Sequence, residues 1–277
     1  MTSTVSGPRP FFLRFTAGNR FCLLHATDRR AVGAVLYVHP LAEEMNKSRR
    51  MAALQARALA ASGWLVLQVD LFGCGDSDGD FGDADWQRWL ADVDEARDWL
   101  RTETGHEPVL WGLRAGCLLA SAAASRARAR AELVLWQPVV SGRQHLTQWL
   151  RLNVASRLLD ASAADRSGTR ELHARFAAGE TVEIAGYRMA PALVAGLGNA
   201  ELAPPATPAR IAWLEVASGD DASVAPVSAA RIHAWRAQGH DASGHAVNGL
   251  PFWQTQEIAE ADALVAATTA LLAEWRA

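Results

Sequence analysis

Short apolar runs alternate along this chain with apolar residues at helical spacing, and that alternation predicts the architecture. Phe11 to Phe15 and Arg20 to His25 flank Ala17-Gly18-Asn19 and predict an antiparallel hairpin. Ala34 to Val38 and Trp64 to Val69 are almost continuously apolar, the mark of strands covered on both faces. Between them, Ser48 to Ala61 sets Met51, Leu54, Ala58 and Ala61 on one helical face, with Gly63 placed to stop the helix. Asp85 is positioned to cap a helix in which Trp86, Trp89, Leu90, Val93, Ala96 and Leu100 recur, and Gly105 marks its exit. A strand at Val109 to Trp111, a helix after Gly116 and a strand at Leu133 to Trp136 continue the series. Strands alternating with helices predict a parallel sheet joined by right-handed crossovers.

The rhythm changes from Gly142 to about Pro205. Helical pieces at His145 to Leu159 and Arg170 to Ala178 lie there among Gly, Ala and Asp, with no strand evident, and Pro204-Pro205 and Pro208 end the stretch. Ile211 to Val216 resumes the sheet. A helix from Pro226 to about Gln238, a strand near Asp241 to Val247 and a helix over Ile258 to Trp275 follow. The expected organisation is a core in two parts, residues 1–141 and 206–277, with residues 142–205 inserted as a helical cap. At 277 residues one large α/β domain with such an insertion is the natural size.

Val109 to Leu119 reads V-L-W-G-L-R-A-G-C-L-L, a strand entering a helix through Gly-x-x-x-Gly. That is the frame of a nucleophile elbow, G-x-S-x-G, whose small residues permit a strained turn that lifts one side chain above the sheet. The lifted residue is Arg114. A guanidinium stays protonated at any working pH and does not attack a carbonyl. At a helix start beside the N–H of Ala115, Arg114 is instead suited to holding an anion, with Trp253 and Leu41 as candidate neighbours. The alternative is an internal ion pair with Glu43, Glu44 or Asp221.

Acyl transfer needs more than an elbow: a base, an acid to orient it, and donors for the oxyanion. His39-Pro40-Leu41 follows the third strand, where an oxyanion loop belongs, or it simply packs against the sheet. Asp220 and Asp221 follow the strand after the insertion, where a triad acid belongs, or they form an ordinary turn. The loop Asn248 to Trp253 has no His, which leaves His245 as the nearest candidate base. Cys74, on the glycine-punctuated loop Asp70 to Ser77, is a substitute nucleophile, whereas Cys117 should face the core and Ser77 should serve the turn.

Composition narrows the partners. A net charge of −3 gives no basic footprint for nucleic acid. Lys47 is the single lysine. Three dispersed cysteines form neither a zinc motif nor a disulfide framework, which points to a reducing cytoplasm and to no metal or cofactor. The N-terminal residues lack a basic stretch followed by an apolar core, and no run reaches 18 apolar residues, so neither export nor a membrane span is expected.

Four stretches, H-P-L-A-E-E-M-N-K-S-R-R, D-L-F-G-C-G-D-S-D-G-D-F, L-W-G-L-R-A-G and G-L-P-F-W-Q-T-Q-E-I, together resemble one family from Phe11 onward. It is the exosortase A system-associated hydrolase, type 2, of the α/β-hydrolase superfamily. The resemblance implies an α/β-hydrolase fold and an association with bacterial PEP-CTERM protein sorting and exopolysaccharide production. It also implies hydrolytic activity by superfamily membership, with no substrate attached, and a Gly-Leu-Arg elbow shared with the family. The leading reading is hydrolysis or acyl transfer of a small or lipid-linked acyl compound at the cleft above Arg114. The other reading is a non-catalytic protein that binds an anion or a sorting-system partner.

Overall fold

The computed structural model describes residues 7–26, 30–127, 130–159, 168–217, 219 and 222–276. In chain order the first half comprises β1 (Arg9–Phe15), β2 (Gly18–His25), β3 (Gly33–Val38), α1 (Glu43–Ala61), β4 (Trp64–Val69), α2 (Trp86–Thr104), β5 (Val109–Leu113) and α3 (Gly116–Arg126). Next come β6 (Glu132–Trp136), α4 (Gly142–Leu159), α5 (Thr169–Ala177), β7 (Val182–Ile184), β8 (Tyr187–Met189) and α6 (Pro191–Asn199). The chain closes with β9 (Arg210–Ala217), α7 (Pro226–Ala237), β10 (Asp241–Asn248) and α8 (Asp262–Glu274).

Eight strands form one sheet in the order β1-β2-β4-β3-β5-β6-β9-β10. The pairs from β4 to β10 are parallel, while β1 and β2 form the expected hairpin and join β4 antiparallel. β3 is buried at every position and β5 likewise, as their apolar runs require. Two apolar clusters cover the two faces. One contains Leu36, Leu110 and Leu118 with α2 and α3; the other contains Val35, Trp111 and Trp136 with α1 and α8.

Several elements differ from the sequence expectation. α1 begins at Glu43, five residues earlier than Ser48, and its buried stripe is Met51, Ala52, Gln55, Ala56, Leu59 and Ala60. Leu54 and Ala58 are only partly buried and Ala61 is exposed. The stripe is rotated because the buried Gln55 donates to Thr269 Oγ1 on α8 at 3.1 Å, so a polar residue occupies a core position. α8 starts at Asp262, and Ile258, expected inside it, is exposed. Residues 142–205, where no strand was expected, contain a small hairpin, β7 with β8, turned by Ala185 and Gly186 at φ of 52° and 80°. Asp85 does cap α2, accepting from Arg88 N at 2.9 Å, and Gly105 leaves it in the left-handed conformation.

The chain leaves β3 toward β4 on one side and, after α2, returns to β5 on the other. The carboxyl ends of β3 and β5 are therefore a topological switch point, where open α/β sheets form their ligand crevice. Two glycines let the backbone close there. A Cβ on Gly112 would meet Cys117 Cα at 2.7 Å, and one on Gly116 would meet Val38 O at 2.3 Å. Neither neighbour can yield, since both are main-chain atoms of the sheet and helix. Gly116→Ala should therefore destabilise the fold by about 2 kcal/mol or more. Gly198→Ala in α6, where a new Cβ meets nothing within 4 Å, should be neutral or slightly stabilising. Urea unfolding of both variants checks this, and equal midpoints would refute the close approach.

Candidate active site

Between Gly112 and Gly116 the turn raises Arg114, whose φ is +53°, a conformation that L side chains rarely adopt. The surroundings over-determine it. Arg114 N donates to Trp136 O at 3.0 Å, and Arg114 O accepts from Cys117 N at 3.1 Å and Val139 N at 3.3 Å. Strain held in this way at a sheet edge is typical of functional positions. The strained turn expected from the glycine spacing is present, with Arg114 at its apex.

The guanidinium is already engaged. Arg114 Nε donates to Glu44 Oε1 at 3.2 Å and Nη1 to Gln137 O at 3.4 Å, while the charged carbon stands 5.5 Å from the Trp253 ring centroid. Arg114 is 18% exposed and Glu44 13%. Glu44 is delivered by the turn after β3, where Leu41 and Ala42 are buried and Ala42 has φ 50°. Its carboxylate lies in the first turn of α1, where negative charge is favoured. Burial pushes the Glu44 pKa up, and the neighbouring Arg114 and Lys47 oppose that rise.

A third group arrives from α4. His145 Nε2 stands 3.9 Å from Glu44 Oε2, and the ring is 6% exposed. Burial, reinforced by Arg114, lowers its pKa to about 3, so the imidazole is neutral at any ordinary pH. Glu44 Oε2, His145 Nε2 and Trp253 Nε1 are all buried polar atoms without a hydrogen-bond partner in the protein. Such atoms are rare in native folds, and three around one arginine need an explanation.

The other sequence candidates are not assembled here. His39 is committed on both ring nitrogens: Nδ1 lies 2.8 Å from Pro40 O, and Nε2 accepts from Leu71 N at 3.3 Å. It ties the ends of β3 and β4 together, which leaves no nitrogen for catalysis. His245 lies within the edge strand β10, three strands from β5, with its Nε2 2.9 Å from Ser243 Oγ. Cys74 and Cys117 are buried, and burial pushes both thiols far above the range in which a thiolate forms; the Cys22 thiol is pushed up to about 12. Ser77 Oγ donates to Asp70 O and accepts from Phe21 N, a turn role. Glu43 accepts from Tyr187 OH at 3.1 Å, tying α1 to β8. Asp220 and Asp221 lie outside the described residues. Ala115 opens α3, so its N–H has no acceptor within that helix.

Sequence reasoning named Arg114, Glu44 and Trp253 but missed His145. His145 belongs to a helix that crosses back over the sheet edge, and no local pattern encodes that return. Among the described residues no group of three or more His, Cys, Asp or Glu is arranged for a metal, and no helix is long and apolar enough to cross a membrane.

The family described as serine aminopeptidase, S33, matches residues 29–203. No curated protein matches the chain in sequence. Among solved structures, Est1E from Butyrivibrio proteoclasticus with ferulic acid bound is similar over 95% of this chain and 98% of its own, at 15% identity and a TM-score of 0.64. The α/β hydrolase GrgF from Penicillium sp. sh18 is similar over 97% and 99%, at 15% identity and a TM-score of 0.63. The thioesterase domain from the curacin biosynthetic pathway is similar over 97% and 100%, at 17% identity and a TM-score of 0.57. At these identities the likeness carries the fold alone.

His145 gives a pH prediction. Folding lowers its pKa from 6.5 to about 3, so between those values the unfolded chain binds a proton that the folded chain refuses. The stability contributed by keeping His145 neutral is complete above pH 6.5 and is lost as pH falls. From pH 7 to pH 5 the wild type should lose roughly 2 kcal/mol more than His145→Gln. Urea unfolding at both pH values measures it; a difference independent of pH would show that the ring is solvated.

Proposed function

The chain belongs to the serine aminopeptidase S33 family and has the α/β-hydrolase fold, and from that premise we propose that it takes a neutral acyl compound over Arg114 without forming an acyl-enzyme. The observation that carries this reading is the Arg114–Glu44 pair at the strained turn between Gly112 and Gly116, which we read as the nucleophile position of a hydrolase elbow. An ester or thioester carbonyl is an acceptor for the arginine N–H groups that Glu44 and Gln137 leave free. A carboxylate or phosphate is a poorer ligand, because Glu44 already supplies the anion and would repel a second one. The anion site expected from sequence is thus filled from within the chain.

In this reading residues 142–205 act as a cap over the sheet edge and contribute His145 to the cleft. The four-motif resemblance to the exosortase A system-associated hydrolases, type 2, supports a role beside bacterial PEP-CTERM sorting and exopolysaccharide production. A small or lipid-linked acyl compound is the substrate of this reading, a sorting-system protein is its candidate partner, and the three dispersed cysteines are in keeping with a reducing cytoplasm. A second reading, binding without turnover, is favoured by the closed Arg114–Glu44 pair, which holds the elbow charge-neutral with no ligand. Both readings use the same cleft and differ only in whether bond cleavage follows.

Two measurements test the proposal. A fluorophosphonate probe should label no serine, because the elbow presents no hydroxyl; stoichiometric labelling of any serine would overturn the proposal. A methyl ketone analogue of a short acyl ester should raise the melting temperature of the wild type and not of Arg114→Met. Equal shifts in the two proteins would place the ligand elsewhere.

A further inference from the structure

We propose that Glu44 is a general base for direct attack of water on the acyl carbon, the water being held between Glu44 Oε2 and His145 Nε2. This rests on the reading of the elbow cleft as an acyl site and deepens it. The two atoms come from different elements, α1 and α4, and stand 3.9 Å apart. That is too long for a hydrogen bond and fits one water lying about 2.8 Å from each. Neither atom has another partner in the protein, and leaving a buried polar atom unpaired is costly. A third polar group between them satisfies both.

The chemistry of the pair then orients that water. A carboxylate oxygen only accepts, and a neutral imidazole protonated at Nδ1 accepts at Nε2. The water gives one hydrogen to each acceptor, which leaves an oxygen lone pair pointing away from both. Arg114 stands beside them as a fixed positive charge, in the site where a carbonyl oxygen becomes an oxyanion. Its remaining N–H donors do at the elbow what main-chain donors do in a serine-based site.

The step balances without any further reactant. The water oxygen bonds to the acyl carbon, its proton passes to Glu44 Oε2, and the carbonyl π pair moves onto the oxygen facing Arg114. When that pair returns, the bond to the leaving oxygen breaks, and the leaving group takes the proton from Glu44. One ester and one water give one acid and one alcohol, and no protein atom is acylated. Among the described residues, Arg114, Lys47 and His145 are the charged or titratable groups facing Glu44; the first two favour the carboxylate form that the base requires. Turnover should therefore rise with pH through the ionisation of Glu44.

The experiment uses the full chain with p-nitrophenyl acetate and butyrate as probes. Glu44→Gln should lower kcat by about 10²- to 10⁴-fold while keeping the methyl ketone melting shift, and it should abolish the rise of kcat with pH. Glu44→Ala should regain part of its turnover in added formate, which restores a carboxylate to the vacated space; a merely structural role predicts no such rescue. Intact mass spectrometry during turnover should show no acyl adduct. Unchanged kcat in Glu44→Gln, an acyl adduct, or no rescue of a folded Glu44→Ala protein would overturn the proposal. So would a wild type that binds the ketone but turns over neither ester, and that result would leave the binding site itself standing. A wild type that shows no ketone shift would remove both.

Discussion

A guanidinium and a carboxylate, Arg114 and Glu44, meet at the strained turn after β5, and the proposed site depends on that meeting. Both side chains are largely removed from water, so each would be costly to bury alone. Their attraction offsets part of that cost, and the Trp253 ring adds a face for the cation. The pair also fixes two pieces of chain relative to each other: the strained elbow after β5 and the strained turn at Ala42 after β3. Removing either partner would strand the other, which is why the charges are held as a unit.

The fold explains how such a pair comes to stand there. The switch between β3 and β5 brings two turns to one crevice, and Gly112 and Gly116 let the elbow close against Val38 and Cys117. An arginine in the lifted position needs no change in this frame, because the glycines and the main-chain bonds to Trp136 and Val139 set the backbone. Fold and chemistry are therefore separable here, as they are in widely used folds generally. The frame belongs to the hydrolase family, and the reactivity follows from the side chains mounted on it. With Arg114 in place, the proposed proton carrier is the buried Glu44, while the neutral His145 only accepts a hydrogen bond.

Much of the framework was legible in the chain because strands buried on both faces leave continuous apolar runs, as β3 and β4 do. The Asp85 cap, the Gly105 exit and the elbow glycines were equally plain, each being a local requirement of the backbone. The β7–β8 hairpin escaped because three-residue strands carry too few positions to show a period, and an Ala-Gly turn is a weak hairpin signal. The α1 face was misplaced because Gln55 is buried and paired, which inverts the usual reading of a polar residue. Of the site, Arg114 and its pairing with Glu44 were among the readings open from sequence. His145 was not, because its approach to Glu44 depends on the tertiary placement of α4. His39 had the right position in sequence but spends both nitrogens on main-chain partners.

The account stands on Arg114 and Glu44 acting as one buried unit, and a double-mutant cycle measures that most directly. Unfolding free energies of the wild type, Arg114→Met, Glu44→Gln and the double variant give the coupling between the two side chains. The account predicts a favourable coupling of about 1–3 kcal/mol, with the double variant closer to the wild type than the two single losses would sum to. A coupling within about 0.3 kcal/mol of zero would show two independent residues, and it would contradict the claim that this ion pair organises the turn after β5.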